Sequence, residues 1–315
     1  MNAISYNSKR TDSPAVFLSD RMYGGKDASS CVLKALTGNC TLLPNDYFCP
    51  GSRDIRRRRG KGEMGLSSFL RKVTDRISGV DSVFNSAIIV AAGSGTRAST
   101  GGTTKQMMPL LGIPVIARTV SVFEECGFIN EIIIVAKPDE LPLYDGFIRE
   151  YGWKKISAVV PGKETRQLSV IEGFRKISDS SQFVYIHDGA RCLVTKETIK
   201  KVGHAACMKG AAYAAKKANE TVRHEENGSQ TTLDREKIWL AQTPQVFMTE
   251  MYRAAAYSAL KNGISATDDV MLAEAAGFTA VPVDCGGQNI KITDPYDFAI
   301  AAAILNYRAE GRDGK

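Results

Sequence analysis

The sequence predicts an α/β fold: a mostly parallel sheet with helices on both faces, from which one polar β-hairpin protrudes. Three observations carry this expectation. From Ser86 onward, short apolar runs alternate with stretches of helical periodicity. The first apolar run breaks into a glycine-rich turn, Gly93-Ser94-Gly95. A single segment, Lys216 to Leu240, interrupts the rhythm with polar residues and two short β-prone patches, Thr221-Val222 and Thr231-Thr232-Leu233. Repeated strand–helix alternation produces parallel strands covered by helices, with ligands at the strands' carboxyl ends.

Taken from the N-terminus, residues 1–63 show neither periodicity and scatter Gly, Pro, Asn and Ser, so a disordered basic extension is expected there. Its run Arg56-Arg57-Arg58-Arg59-Gly60-Lys61-Gly62-Glu63 reads as a solvated charge run before an RNA-binding arm. All eight residues have purine-only codons, so the octet could also be a translated ribosome-binding site, with Met64 as the native start. Leu66, Phe69, Leu70, Val73 and Ile77 share one helical face, which predicts an amphipathic lead-in helix within 64–83. Strands are expected over Ala87–Val90, Glu131–Ala136, Ile156–Val160, Phe183–Ile186, Ala211–Ala215, Thr279–Val283 and Gln288–Ile292. Helices are expected over Val115–Cys126, Glu164–Ile177, Lys196–Met208, Thr249–Asn262, Asp268–Ala276 and Pro295–Ala309. The main domain thus runs over 84–308, with an arm at 216–241 and a tail at 309–315.

Charge and cysteine usage exclude several classes. The first 83 residues hold 14 Lys and Arg against 8 Asp and Glu, a net of +6 out of the +7 of the 315-residue chain. The core is therefore nearly neutral, which argues against nucleic-acid binding by the domain. Seven cysteines, an odd number without a C-x-x-C pair, give no zinc framework, and a disulfide scaffold is not expected in a chain this long. No run approaches the ~20 apolar residues of a membrane span, and no signal-peptide h-region is found, so a soluble cytoplasmic protein is expected.

The chemistry concentrates in Ser86 to Gln106, SAIIVAAGSGTRASTGGTTKQ. Small residues after a buried strand let backbone N–H groups approach a phosphate chain, and Arg97 and Lys105 add positive charge where a triphosphate would lie. The dinucleotide fingerprint fails because no third glycine follows Gly93 and Gly95, and the Walker sequence fails because Gln106 follows Lys105. A Rossmann oxidoreductase would further need an acidic residue at a strand end, whereas Glu124 and Glu125 lie in a helical stretch. No Ser-His-Asp or Cys-His set is evident. His187, lacking a second His or Cys nearby, reads as a packed residue rather than a ligand.

A-A-G-x-G-T-R followed closely by K-Q resembles the signature of nucleotidyltransferases that activate sugars and polyols. The likeness continues through Gly162, Arg166 and Ser169 in a G-x-x-x-R-x-x-S arrangement, and through His187-Asp188-Gly189-Ala190-Arg191. Thr232-Leu233-Asp234-Arg235, Ala241-Gln242-Thr243-Pro244-Gln245, Thr267-Asp268-Asp269 and Asn289-Ile290-Lys291-Ile292-Thr293 complete the series. Over roughly Ser86 to Tyr307 this ordered set resembles the methylerythritol phosphate cytidylyltransferase family, whose sheet is Rossmann-like.

The resemblance implies transfer of CMP from CTP to a polyol phosphate, 2-C-methyl-D-erythritol 4-phosphate first and ribitol 5-phosphate as the alternative. It implies Mg²⁺, with Asp188 as its protein ligand, and a homodimer whose arms cross to shared sites. Arg97 and Lys105 are the implied catalytic pair. Nucleotide binding falls to Ala91, Ala92, Gly93, Gly95, Gly162, Glu164, Arg166, Ser169, Asp188 and Gly189. Acceptor binding falls to Asp188, Arg191, Thr221, Arg235, Thr243 and Lys291. The chain departs from the pattern in a longer Arg97–Lys105 loop, in Thr104 where the family has proline, in Cys192 after the H-D-G-A-R run, and in Lys217-Ala218-Asn219-Glu220-Thr221 before the arm.

Overall fold

In the computed structural model of the chain, which describes residues 79–93 and 104–311, β1 (Asn85–Val90), β4 (Glu131–Ala136) and β6 (Phe183–Asp188) are buried at every position. Successive strand residues face opposite sides, so complete burial means that both faces of the sheet are covered. This is why these strands read as continuous apolar runs rather than as alternations. The expected extension over 1–63, the lead-in helix, residues 312–315 and the loop carrying Gly95 and Arg97 lie outside the described residues.

Four further strands complete the main sheet: β5 (Ile156–Pro161), β7 (Ala211–Lys217), β10 (Trp239–Met248) and β11 (Val281–Asp284). The order is β11-β7-β10-β6-β1-β4-β5, and four of its six pairings are parallel. The exception is β10, which runs antiparallel to both β6 and β7. A small pair, β2 (Pro109–Leu110) and β3 (Ile113–Pro114), leads into helix α1 (Val115–Glu124). The remaining helices are α2 (Leu141–Tyr151), α3 (Arg166–Phe174), α4 (Lys196–Lys209), α5 (Thr249–Asn262), α6 (Asp269–Ala275) and α7 (Pro295–Ala309). Thr165 and Thr195 cap α3 and α4, each hydroxyl accepting the backbone N–H three residues on.

The hairpin is formed by β8 (Arg223–Glu226) and β9 (Ser229–Thr232), and all eight strand residues are exposed. Asn227 and Gly228 join them with φ of 51° and 78°, the positive pair that a type I′ turn requires. Two expectations are corrected. Gln288–Ile292 forms no strand: Ile292 N donates to the Ala190 carbonyl instead of joining a ladder. The helix expected from Glu164 begins at Arg166, which leaves Glu164 in a loop.

Candidate active site

The chain runs β1, β4, β5 outward along one side and then returns to place β6 on the other side of β1. Strand order therefore reverses at β1/β6, and a crevice opens outside the carboxyl ends of the strands at such a point. A cavity of about 440 Å³ occupies it, lined by Ala92 and Gly93 after β1, Lys163 to Arg166 after β5, and Asp188 at the end of β6. Five cations line it, Lys105, Lys137, Lys163, Arg166 and Lys291, against the two carboxylates Glu164 and Asp188. That excess favours a polyanion.

The walls follow from local sequence. A Cβ on Gly162 would collide with the Ala92 methyl and stand 3.1 Å from Ser169 Oγ, so only glycine lets the end of β5 close against the end of β1. Ser169 holds the intervening turn, its hydroxyl accepting from Lys163 N at 2.9 Å and donating to the Thr165 carbonyl at 2.8 Å. The N–H groups of Ala91 and Gly189 are committed to the Val135 and Val90 carbonyls, and neither residue lines the cavity.

Asp188 is the electrostatic centre. Its carboxylate receives Arg166 Nε at 3.0 Å and Lys291 Nζ at 2.8 Å, with Arg191 Nε at 3.8 Å. Burial opposes its ionisation, but Arg166, Lys291 and Arg191 together outweigh that and hold the carboxyl well below the usual range. Arg166 also binds Asp269 at 2.7 Å, and Asp269 accepts from the Tyr252 hydroxyl. Lys291 needs no strand to reach the site. Asn289 donates to the Thr243 carbonyl while its own carbonyl accepts from Arg191 Nη1, which pins the segment.

A second cavity of about 170 Å³ adjoins the first and shares Arg166, Asp188 and Lys291 with it. Arg191, Thr243, Gln245, Thr267 and Asp268 also line it, with Ala241 and Gln242. The Thr243 hydroxyl accepts from Asp188 N and pairs with His187 Nδ1, both at 3.0 Å, so its single proton is already engaged. Thr267, whose hydroxyl donates to the Met271 sulfur, was visible in the T-D-D motif but received no role from sequence reasoning. Lys137 and Lys163 were also missed, because isolated lysines after strands carry no pattern. Thr221 and Arg235 lie on the arm and line neither cavity.

Among the described residues no group of three His, Cys, Asp or Glu forms a metal cage, and no helix is long and apolar enough to cross a membrane. Asp188 accepts two close N–H donors and keeps lone pairs free, so it suits one ligand position beside phosphate oxygens.

A switch-point cleft rich in cations, joined to a second cation-walled cavity, defines an enzyme that brings two phosphate-bearing substrates together, a nucleotidyltransferase. The family model described as IspD, 2-C-methyl-D-erythritol 4-phosphate cytidylyltransferase, matches residues 85–307, and the chain belongs to that family. The 2-C-methyl-D-erythritol 4-phosphate cytidylyltransferase of Alkaliphilus oremlandii (strain OhILAs) is 39% identical over 230 residues, covering 72% of this chain and 97% of the relative. The enzyme of the same name from Caldanaerobacter subterraneus subsp. tengcongensis is 38% identical over 223 residues, 70% of this chain and 98% of the relative. Among solved structures, the 4-diphosphocytidyl-2C-methyl-D-erythritol synthase of Anaerococcus prevotii DSM 20548 superposes with a TM-score of 0.65 at 30% identity, covering 72% of this chain and 98% of that one.

Proposed function

We propose that the protein transfers CMP from CTP to 2-C-methyl-D-erythritol 4-phosphate. A phosphate oxygen of the acceptor bonds to the α-phosphorus of CTP, the α–β bridging bond breaks, and pyrophosphate leaves. The observation that carries this reading is the pair of adjoining cavities with Arg166, Asp188 and Lys291 in common. The larger suits the nucleotide and the smaller the acceptor phosphate.

No general base is needed, because the attacking phosphate monoester is already anionic. The protein's work is alignment and neutralisation of charge on the transition state. Lys105, 9% exposed in the wall of the larger cavity, acts on the triphosphate with little screening, and Arg97 is its expected companion. Ala92, Gly93, Gly95, Gly162, Glu164, Ser169 and the strand ends at Ala91 and Gly189 shape the nucleotide side. Arg191, Lys291 and Thr243 shape the acceptor side, with Thr221 and Arg235 reaching it from the arm of a second copy. Asp188 is the residue that would hold Mg²⁺, which when bound would supply further charge neutralisation at the phosphates. Residues 84–308 are the catalytic unit, supported by the family match over 85–307.

Pyrophosphate release from CTP and Mg²⁺, measured with methylerythritol phosphate and with ribitol 5-phosphate, tests the reading. Release is expected with the former, and Lys105→Ala lowers kcat on the order of 100-fold or more. Release with ribitol phosphate alone would move the protein to another pathway while keeping its chemistry.

A further inference from the structure

Outside the set of groups that face the substrates, one buried polar cluster stands against the wall of the larger cavity. Thr104 is 4% exposed and Glu140 7% exposed, and the Thr104 hydroxyl donates to Glu140 Oε1 at 2.5 Å across 36 residues of sequence. Thr104 directly precedes Lys105. Glu140 closes the short helical turn Pro138–Glu140 that follows Lys137, and both Lys105 and Lys137 line the cavity.

The segment around Lys105 is held from two sides. After the lysine, Met107 N and Met108 N donate to the Thr104 carbonyl at 3.0 and 3.2 Å, and Ile116 N and Val115 N donate to the Gln106 and Met108 carbonyls. These bonds tie the turn to the start of α1. Before the lysine, the hydroxyl bond to Glu140 joins Thr104 to the β4–α2 connection, where the glycine-rich loop re-enters the described structure.

The fold gains little from a carboxyl group here. Glu140 Oε2 and the Tyr144 hydroxyl are both buried without a hydrogen-bond partner among the described residues. Burial pushes the Glu140 carboxyl up, with the Thr104 hydroxyl working against that. A polar pair placed where an apolar pair would pack at less cost suggests a task other than stability.

We propose that Thr104 and Glu140 are positioning residues that fix Lys105, and with it the turn bearing the triphosphate-facing charge, relative to Lys137, which lines the same cavity. The proposal rests on the cytidylyl-transfer reading. Reaction rate is sensitive to placement at this scale, since an error of about 1 Å can cost on the order of 100-fold. Neither residue lines either cavity.

The experiment compares Thr104→Val, Thr104→Ser and the double variant Thr104→Val/Glu140→Met with wild type, reading pyrophosphate release and thermal unfolding. Thr104→Val is expected to lower kcat by about tenfold or more, with KM for CTP within about twofold, and Thr104→Ser to keep most of the rate. The double variant, with an apolar pair in place of a polar one, melts within about 3 °C of wild type yet stays slow, which separates positioning from stability. Introduced into a Lys105→Ala background, Thr104→Val produces no further loss, because its effect passes through that lysine.

Wild-type turnover in Thr104→Val, or an equal further loss when Lys105 is already alanine, overturns the proposal. Recovery of rate in the double variant does so as well. A wild type that releases no pyrophosphate with either acceptor sinks the functional reading itself, and with it this role.

Discussion

His187 shows how one buried ring organises both cavities. The Arg191 carbonyl, 3.2 Å from Nε2, can only accept, so Nε2 carries the proton. A neutral ring then leaves Nδ1 as acceptor, the Thr243 hydroxyl donates to it, and Thr243 Oγ1 is free to accept from Asp188 N. The ring also packs against Phe123 at a centroid distance of 5.0 Å. The lack of a second His or Cys in the sequence pointed to a packed ring, and both nitrogens are engaged by protein. Thr243's committed proton was not legible, because a hydroxyl's partners depend on β10 lying beside β6. Burial lowers the His187 value from 6.5 to about 3. Between those limits the unfolded chain takes up a proton that the folded state refuses, so stability falls as pH falls from about 6.5 towards 3. The slope reaches about 1.4 kcal/mol per pH unit. Asp188 acts lower: its depressed value keeps its contribution intact above 3.8 and releases it only as pH drops further. Urea unfolding between pH 6 and 4 is expected to show the slope, and His187→Asn to flatten it. An unchanged slope in the variant would assign the effect elsewhere.

At the scale of elements, β10 is the piece that sequence reasoning did not anticipate. Its central residues, Gln242-Thr243-Pro244-Gln245, are polar and include a proline, a composition that argues against an interior strand. The structure reconciles this with a register shift between Ala241 and Gln245, where Pro244 needs no ladder partner. Helix α2 was likewise absent from the expected elements; it carries Pro142 and Gly146, and Pro142 sits in the first turn where its missing N–H costs nothing. Conversely, the apolar alternation of Ile290 and Ile292 mimicked a strand. Their side chains fill a small core with Leu110, Val115 and Leu193 instead. Gln245 shows what β10 contributes to the site. Its Oε1 accepts from Asp269 N and Val270 N while Nε2 donates to Asp268, so β10 holds the start of α6 beside the smaller cavity. Gln245→Leu leaves those buried N–H groups unpaired, at a cost of about 1–3 kcal/mol. In a domain of this size the expected fall in Tm is about 3–10 °C, and KM for the acceptor rises as Thr267 and Asp268 loosen. A Tm equal to wild type would show that α6 docks without this contact.

At the scale of the whole molecule, the conspicuous feature is an arm that stands exposed among the described residues. A lone two-stranded hairpin is marginal in water, yet β8 and β9 are exposed along their length, and Leu233 and Leu240 beside them are 36% and 41% exposed. The arm also carries Thr221 and Arg235, which the motif series assigned to acceptor binding but which stand away from this subunit's own cavities. Both facts are satisfied if a second copy receives the arm, so that each site is built from two chains in a symmetric dimer. Subunit complementation tests this directly. Arg235→Ala and Lys105→Ala homodimers are each expected to be inactive, for lack of an arm cation and of a cavity cation. When the two proteins are unfolded together and refolded, a crossing arm places both defects in one site of each mixed dimer and leaves the other site whole. Random mixing then restores about a quarter of wild-type activity, since half the dimers are mixed and one site in each works. An arm that folds back onto its own subunit would leave every site with one defect. No activity would return on mixing, and Arg235 would have to serve the chain that carries it.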